Sequence, residues 1–333
     1  MEELSRFNLV GKSPIFGETV NRIHRMAQLD ATVLIAGETG TGKELAARAI
    51  HYLGGRTDKP FVPVNCGALS ESLVESELFG HERGAFTDAK TASLGLIGEA
   101  SGGTLFLDEV DTLTLKAQAA LLRFLQDRTY RRVGGGGMRH VDVRIIVASN
   151  ADLAALSLER RFRQDLLYRL NVLTLTMPAL RERGDDAVLI AQSLLQRLNH
   201  QYRVTFKSLH PDAIAFIRRY AWRGNVRELE NVIHREFLMD EESVLQLRDS
   251  RRELEGEDSA EHMPAAKKSE TALAFREAKA RAVAKFEQNY VAELLNLADG
   301  NISYAARLAS QDRSAFGKLV RKYGLGTDNS LSL

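Results

Sequence analysis

Residues 1–178 alternate short apolar segments with longer amphipathic ones. Several of the short segments are apolar on both sides, which is typical of strands in a buried parallel sheet, and the longer ones have helical spacing. This alternation predicts a doubly wound α/β domain. The predicted strands are Thr32–Ala36, Phe61–Val64, Thr104–Leu107, Val143–Ala148 and Leu173–Thr176, and two of the predicted helices are Lys43–Tyr52 and Leu115–Gln126.

The pattern changes after the last predicted strand. From Asp186 to about Asp240 the pattern is helical throughout, which predicts a small helical lid on the α/β body over residues 179–240. Residues 241–268 are polar and acidic and have too little apolar surface to form a core, so we predict a linker there. Residues 269–333 return to a helical pattern and predict a small all-α domain.

Charge is distributed unevenly along the 333 residues. The formal net charge of +1 and the 27% share of charged residues exclude a wholly basic chain, and the 44% share of hydrophobic residues excludes a largely disordered one. The net charge is +3 over 1–239, −6 over 240–266 and +4 over 267–333. A near-neutral body is therefore followed by an acidic segment and a basic end.

Cys66 is the single cysteine and cannot form an internal disulfide, so nothing indicates an oxidising compartment. The first residues lack the layout of a signal peptide, and no apolar run approaches the roughly 20 residues of a membrane helix. The histidines do not combine with cysteine at the spacing of a zinc site. We expect a cytoplasmic chain without membrane insertion.

A glycine-rich segment lies between the first predicted strand and a predicted helix. It matches the GxxxxGK pattern of a P-loop, in which backbone N–H groups wrap phosphates and the lysine meets the β and γ oxygens. A glycine-rich turn without a ligand is the alternative, and the flanking strand and helix argue against it. The predicted ATP-binding residues are Gly37, Glu38, Thr39, Gly40, Thr41, Gly42, Lys43 and Glu44, the last standing where Ser or Thr is usual.

Two acidic residues, Asp108 and Glu109, come directly after the predicted strand Thr104–Leu107. Asp108 would hold Mg²⁺ directly or through water, and Glu109 would polarise the attacking water as a general base. Two solvated acids at a strand end are the simpler interpretation. The P-loop upstream favours a nucleotide site over that interpretation. Together the two segments predict in-line attack on the γ-phosphate of ATP.

More specific motifs accompany the P-loop. Over residues 9–240, in order, the chain closely resembles the AAA+ domain of bacterial enhancer-binding proteins, the activators of sigma-54 RNA polymerase. Glutamate at the position of Glu44 is usual in that family. The motifs that carry the resemblance are ELFGHERGAFTDA at 77–89, RVGG at 132–135, FRQDL at 162–166, LRER at 180–183 and WRGNVRELEN at 222–231.

The resemblance implies roles within the nucleotide site. Asn65 would be the switch residue that links Glu109 to the nucleotide state, Asn150 would be the polar residue of sensor I, and Arg227 would be the arginine of sensor II. ATP and Mg²⁺ are the implied cofactors.

The resemblance also implies a ring, expected to be a hexamer. Arg163 and Arg169 would be arginine fingers that reach the γ-phosphate of the neighbouring subunit, so that hydrolysis depends on assembly. The simpler interpretation of each arginine is a surface salt bridge. Inside these motifs, we expect the finger role.

The implied contact with the sigma factor is a loop. Phe86 and Thr87 would lie at its tip, although a core position is the simpler interpretation of Phe86. The family sequence is GAFTGA, so Asp88 replaces a glycine, and we expect this to affect the sigma contact or the loop's control by nucleotide rather than ATP binding. The predicted contact residues are Gly84, Ala85, Phe86, Thr87, Asp88 and Ala89.

The basic end has the layout of a helix-turn-helix. A helix over 282–298 is followed by Asn301 as an N-cap, a short helix over Ile302–Ala309 and a basic helix over Arg313–Tyr323. This end is also similar to the Fis-type helix-turn-helix of the same activators, and a basic docking or dimerisation module is the alternative. The predicted DNA contacts are Arg313, Ser314 and Phe316 to bases, and Lys318, Arg321 and Lys322 to phosphates.

The resemblance therefore implies a sigma-54-dependent activator that binds upstream DNA and uses ATP hydrolysis in a ring to remodel the closed promoter complex of the sigma-54 holoenzyme. The match begins by Leu9, so we expect no receiver domain before it and control by a regulatory protein acting in trans. Two alternatives stay open. One is an AAA+ remodeller of another protein substrate, and the other is a DNA-binding regulator whose activation is impaired by Asp88.

Overall fold

The computed structural model forms two compact units, Met1–Gly256 and Glu257–Leu333. No helix among the residues it describes is long and apolar enough to span a membrane. The described residues are 6–69, 73–86, 89–204, 206–240, 242–248, 250–251, 254, 287, 290–292, 294–296, 298, 301–309 and 312–323.

Five parallel strands form the central sheet of the first unit. Each coincides with a predicted strand to within one residue at either end, so the predicted α/β fold is confirmed. The strand that precedes the P-loop lies in the interior of the sheet between two neighbours. The strands are β1 (Val33–Ala36), β2 (Phe61–Asn65), β3 (Thr104–Asp108), β6 (Arg144–Ser149) and β7 (Leu173–Thr176), in the spatial order β2-β3-β6-β1-β7.

Helices cover both faces of the sheet. Along β3, Leu105 and Leu107 face one helical layer and Phe106 faces the other, which explains why the strand sequences are apolar on both sides. The layer against Phe106 contains α1 (Pro14–Ala27) and α2 (Lys43–Tyr52), and the other contains α3 (Val74–Phe79), α4 (Leu96–Glu99), α5 (Leu115–Asp127), α6 (Leu153–Leu158) and α7 (Gln164–Leu170).

A small antiparallel hairpin follows α5. It consists of β4 (Thr129–Arg131) and β5 (Met138–His140). The sequence pattern predicts no strand here, because every residue of β5 is exposed and four consecutive glycines separate the strands. The hairpin matters because it supports the loop that begins at Gly84.

The lid is helical, as predicted, and extends past Asp240. Its helices are α8 (Asp186–Tyr202), α9 (Pro211–Arg219) and α10 (Asn225–Met239), and their core includes Trp222. Two short strands, β8 (Ser208–Leu209) and β9 (Val244–Leu245), pair in parallel. Leu245 and Leu247 are completely buried in the lid core. The prediction of a linker over 241–268 is therefore wrong for its first part, which belongs to the lid.

The second unit contains the two helices of the predicted helix-turn-helix, α11 (Ile302–Leu308) and α12 (Arg313–Lys322). Asn301 Oδ1 accepts from the backbone N of Ser303 and Tyr304 at 3.1 and 3.2 Å, which confirms the predicted N-cap. The described residues within 287–296 are helical, as predicted for 282–298. The turn residues 310 and 311 lie outside the described residues.

Candidate functional site

The P-loop connects β1 to α2. Lys43, the first residue of α2, is 8% exposed, and its Nζ donates to the carbonyls of Gly37 at 2.8 Å and Glu38 at 3.1 Å. Burial lowers the pKa of Lys43, while the carboxylates of Asp108, Asp111 and Glu109 act in the opposite direction. A lysine is thus held at a helix N-terminus, where backbone N–H groups also favour an anion.

A cavity of about 330 Å³ opens over this loop. It brings together most of the nucleotide-site residues predicted from the sequence, although Gly37 and Glu38 are not among its lining residues. Those that line it are Thr39, Gly40, Thr41, Gly42, Lys43, Glu44, Asn65, Asp108, Glu109, Asn150 and Arg227.

Further lining residues come from the N-terminal segment and the lid, and sequence reasoning missed them. Leu9 and Val10 form part of the wall, together with Arg183 and Arg197. Two signals could have found some of them: Leu9 opens the segment that resembles the family, and Arg183 ends the motif LRER at 180–183. The cavity is large enough for a nucleotide and has apolar and phosphate-facing parts, so it fits the implied ligand.

The acidic pair lies where β2 and β3 end side by side, with Asn65 opposite Asp108 in the register. A Cβ built at Gly67 would lie 2.6 Å from Glu109 Oε2 and 3.2 Å from Asn65 Oδ1. The Asn65 and Glu109 side chains therefore flank the same glycine. Glu109 has a φ of +54°, a left-handed conformation that is costly for a residue with a Cβ and is often found at functional sites.

The donor set fits Mg²⁺ only together with a nucleotide. No cluster of three or more His, Cys, Asp or Glu that could hold a metal occurs among the described residues. Asp108 Oδ1 accepts from the backbone N of Glu109 at 2.9 Å, which fixes the orientation of its carboxylate. Mg²⁺ commonly takes one or two carboxylates and completes its shell with phosphate oxygens and water.

The lid bonds directly to the P-loop through Asn225, a completely buried residue that sequence reasoning did not select. Its Nδ2 donates to Thr39 O at 3.0 Å and to Glu38 Oε2 at 3.1 Å, and its Oδ1 accepts from Leu180 N at 2.8 Å. Hydrogen bonds from Arg181 and Asn225 lower the pKa of Glu38 to about 2. Glu38 is therefore ionised and joins the P-loop to the lid.

Close main-chain packing completes this contact. The backbone N of Val226 donates to Gly40 O at 3.0 Å. Gly40 has a φ of +80°, and a Cβ built on it would lie 2.2 Å from Gly224 O. Only glycine fits between the P-loop and the lid at this position. Asn150, the predicted polar residue of sensor I, donates from Nδ2 to Thr39 Oγ1 at 2.9 Å and so contacts the same loop.

Both predicted finger arginines are exposed, and neither lines the cavity of its own chain. Arg163 forms a two-point ion pair with Asp165 at 3.0 and 2.7 Å, the surface salt bridge that was the simpler interpretation. Arg169 donates from Nε and Nη2 to Leu125 O at 3.3 and 3.1 Å. The structure thus brings neither guanidinium to the P-loop that precedes it in sequence.

The predicted sigma-contact loop is described at Gly84, Ala85, Phe86 and Ala89, while Thr87 and Asp88 lie outside the described residues. Gly84 N donates to Ala89 O at 2.9 Å and closes the loop at its base. Phe86 is half-buried, with its ring edge-on to His81 at 5.0 Å, so it is neither a core residue nor fully exposed.

Two contacts fix the loop to the β4–β5 hairpin. Glu82 pairs with Arg132 at 3.1 Å, and its backbone N donates to Val133 O at 3.0 Å. The base of the loop is therefore held by the body of the domain.

On α12, Arg313, Ser314, Lys318 and Arg321 are exposed as predicted. Lys322 is paired with Glu287 at 2.8 Å, and this hydrogen bond raises its pKa to about 12. The prediction that Phe316 contacts bases is wrong. Phe316 is 1% exposed and packs with Ala305, Val320 and the rest of the core, so its ring is not available to read bases.

A parallel sheet with a P-loop after β1, an acidic pair after β3 and a helical lid bonded to the P-loop defines an AAA+ P-loop ATPase. The family described as the sigma-54 interaction domain matches residues 9–176, and the AAA+ ATPase lid domain matches residues 181–267. The chain belongs to the sigma-54-dependent transcriptional activators, and its first unit is an AAA+ ATPase.

Named relatives agree with this assignment. The chain is 50% identical over 231 residues to the transcriptional regulatory protein ZraR of Escherichia coli K12, covering 69% of this chain and 52% of ZraR. It is 40% identical over 328 residues to GlrR of Escherichia coli K12, covering 98% of this chain and 70% of GlrR. The chain thus spans about half the length of ZraR.

A solved structure matches most of the chain. NtrX from Brucella abortus in complex with ATP has a TM-score of 0.70 and 33% identity, covering 95% of this chain and 69% of NtrX. NtrX was also solved in complex with ADP, with a TM-score of 0.70 and 32% identity. Both nucleotide complexes support nucleotide binding by this fold.

Proposed function

We propose that this chain activates sigma-54-dependent promoters as a DNA-bound ring that hydrolyses ATP. The observation that carries the proposal is the separation of Arg163 and Arg169 from the nucleotide cavity of their own chain. Fingers that cannot serve their own site are suited to a neighbour's. Repetition of one head-to-tail contact closes into a ring, for which a hexamer is our expectation.

In this proposal each residue of the cavity has a task. The P-loop N–H groups and Lys43 hold the phosphates, Asp108 holds Mg²⁺, and Glu109 accepts the proton of the attacking water. Bound Mg²⁺ neutralises part of the phosphate charge. Asn65, beside Glu109, orients the base, while Asn150 and Arg227 act from the sheet and the lid.

The loop that begins at Gly84 would carry the result of hydrolysis to the sigma factor. Its base is fixed to the hairpin through Glu82, while the Phe86 ring lies edge-on to His81 and the Phe86 carbonyl accepts from Ala89 N at 3.0 Å. A base fixed to the body of the domain suits a loop whose far end changes position with the nucleotide state. An apolar side chain at such a tip suits protein contact.

The second unit would bind the upstream DNA. Exposed Arg313, Ser314, Lys318 and Arg321 lie along α12, and its buried side packs on the unit's core. These four residues are the proposed DNA contacts, and Phe316 is not among them because its ring is buried. Lys322 contributes less in this proposal, because a carboxylate already neutralises it. A regulatory protein acting in trans remains a prediction.

The test is transcription with purified sigma-54 holoenzyme, scored by formation of open promoter complexes. Thr87→Ala is expected to abolish open complexes while the ATPase rate changes no more than about twofold, because the loop lies outside the nucleotide cavity. Lys43→Ala is the control and should lose both activities. ATP turnover without any sigma-54-dependent open complex in the unchanged protein would favour a remodeller of another substrate.

Asp88 favours one alternative, a DNA-binding regulator with impaired activation, because a charged residue replaces a glycine in the contact loop. Asp88→Gly separates the two. In the activator, we expect it to change open-complex formation more than the ATPase rate. A chain that forms open complexes only after this substitution would be the impaired regulator, and equal effects on both activities would contradict the assigned role of the loop.

A further inference from the structure

Gln118 is a polar side chain on α5 that is 0% exposed, and its hydrogen bonds all leave its own helix. Its Nε2 donates to Leu113 O at 2.8 Å and to Arg161 O at 3.2 Å, and its Oε1 accepts from Arg163 N at 2.8 Å. A buried amide is costly unless it is paired, so three bonds at these distances fix its orientation.

These bonds join two segments that are far apart in sequence. Leu113 follows the turn Val110–Thr112, which begins directly after Glu109 in the nucleotide cavity. Arg161 and Arg163 lie on either side of Phe162, which is buried in the same core as α5. Gln118 therefore fixes the main chain that carries the Arg163 side chain and connects it to the chain that leaves Glu109.

The same helix also holds the other finger arginine. The Arg169 guanidinium donates to the carbonyl of Leu125, in the last turn of α5, where carbonyls favour a positive charge. Both predicted fingers are thus held by α5. Arg169 bonds to a backbone carbonyl of the helix, and the main chain of Arg163 bonds to the Gln118 side chain.

We infer that Gln118 is a positioning residue that sets the Arg163 finger a subunit offers to its neighbour. The inference rests on the proposed function, since it requires fingers that act in trans. Displacement of a catalytic group by about 1 Å can lower a rate a hundredfold, so a loop that carries a finger needs such an anchor. Gln118 then affects hydrolysis in the next subunit rather than in its own.

The variant for the test is Gln118→Met, which keeps the size of the side chain and removes all three hydrogen bonds. Ile23→Val is the matched control, because it also alters a completely buried side chain of a helix but lies against the opposite face of the sheet. Gln118→Met should lower ATP turnover of the full-length protein by about ten- to a hundredfold with little change in KM, and Ile23→Val should not.

Mixed rings identify the site of the defect. Gln118→Met subunits mixed with an excess of Lys43→Ala subunits, which cannot bind nucleotide but carry intact fingers, should regain turnover per Gln118→Met subunit. Arg163→Ala is the reference and should be rescued in the same way, whereas Glu109→Gln should not.

The outcomes separate the inference from the proposal beneath it. Rescue of Arg163→Ala without rescue of Gln118→Met would overturn the role of Gln118 but would still support arginine fingers that act in trans. No rescue of Arg163→Ala would overturn both. Unchanged turnover in Gln118→Met would also overturn the inference.

Hydrogen exchange provides a readout that does not need nucleotide. In Gln118→Met the Arg163 amide loses its acceptor, so its exchange should be faster, while amides within α7 should keep their rates. An exchange rate of the Arg163 amide equal to that in the unchanged protein would overturn the inference. Should Gln118→Met not fold, Gln118→Leu, which also lacks all three hydrogen bonds, serves in the same mixtures with the same expected and contrary outcomes.

Discussion

Arg183 and Asp186 form an ion pair that is almost completely buried, with 3% and 2% of their side chains exposed and a distance of 3.1 Å. Asp186 also accepts from Lys12 N at 2.6 Å and from Ser13 N at 3.0 Å, and the Arg183 guanidinium lies over the Phe16 ring at 3.8 Å. The pair therefore fastens the N-terminal segment, which lines the nucleotide cavity, to the start of the lid.

We expect Arg183→Met to lower the free energy of unfolding of the first unit by about 3–5 kcal/mol, because it leaves the Asp186 carboxylate buried without its partner. The matched control is Arg218→Met, which breaks an exposed pair with Asp185 and should cost about 1 kcal/mol or less. Urea unfolding of both variants provides the measurement. Equal losses would show that burial of the pair is unimportant.

Asn225 should matter for nucleotide affinity. Asn225→Ala removes its bonds to the P-loop and leaves Leu180 N buried without an acceptor, at about 1–3 kcal/mol per lost bond. This predicts at least about a tenfold higher Kd for ATP by calorimetry. Asn225 has a φ of +55°, so Asn225→Gly serves as a second variant without added backbone strain. Asn231→Ala, at an exposed position of the same helix, should bind as the unchanged protein does.

Lys43 and Glu109 should separate binding from hydrolysis. Lys43→Ala removes the charge that meets the phosphates, so binding of a fluorescent ATP analogue should be lost. Glu109→Gln keeps the size of the side chain but removes the base, so binding should persist while phosphate release falls by about 10²–10⁴-fold. The idea that Glu109 is the base fails if Glu109→Gln retains most of its turnover.

His51 predicts a loss of stability in mild acid. Its ring is completely buried, with Nδ1 2.9 Å from Thr104 Oγ1, and burial lowers its pKa below 6.5. The folded state therefore binds this proton less readily than the unfolded state, and stability is full above pH 6.5 and falls as the pH drops through the lowered pKa. Melting temperatures at pH 7.5 and 5.5 should differ less in His51→Gln than in the unchanged protein.

Phe316 and Lys318 should behave oppositely in the second unit. Phe316→Ala removes a buried ring from a small core, at about 3–5 kcal/mol, and should unfold much of this unit. Lys318→Ala should leave the melting curve unchanged, weaken DNA binding and reduce the dependence of log K on log salt by about one. Circular dichroism and DNA titration at two salt concentrations measure the two effects, and a stable Phe316→Ala would contradict the assigned core.

The sheet and the P-loop were predictable because their signals are local. Apolar runs on both faces and the GxxxxGK pattern each occupy a few consecutive residues, and Lys43–Tyr52 was predicted to the residue. Phe316 was misjudged from its place at the start of a basic helix. Its spacing of four residues from Val320 is the signal that would have placed it in the core, because both lie on one side of a helix.

The buried polar residues could not be predicted in this way. Gln118 is bonded to Arg163, 45 residues away, and Asp186 to Lys12, 174 residues away. A side chain's hydropathy says nothing about partners that only the folded chain brings close. The exposed strand β5 escaped prediction for the reverse reason, since it buries nothing against the body.

The pair between Arg163 and Asp165 has a consequence for assembly. Before it meets a neighbour's nucleotide, the guanidinium already has a carboxylate of its own chain at 2.7 Å. In the proposed ring, the Arg163 guanidinium would leave the Asp165 carboxylate for the neighbour's phosphate. The free energy gained is then only the difference between two charge-assisted contacts. In that proposed ring, each subunit would carry an internal competitor for its own finger, and contact with the neighbour's site would weaken once the phosphate charge is gone.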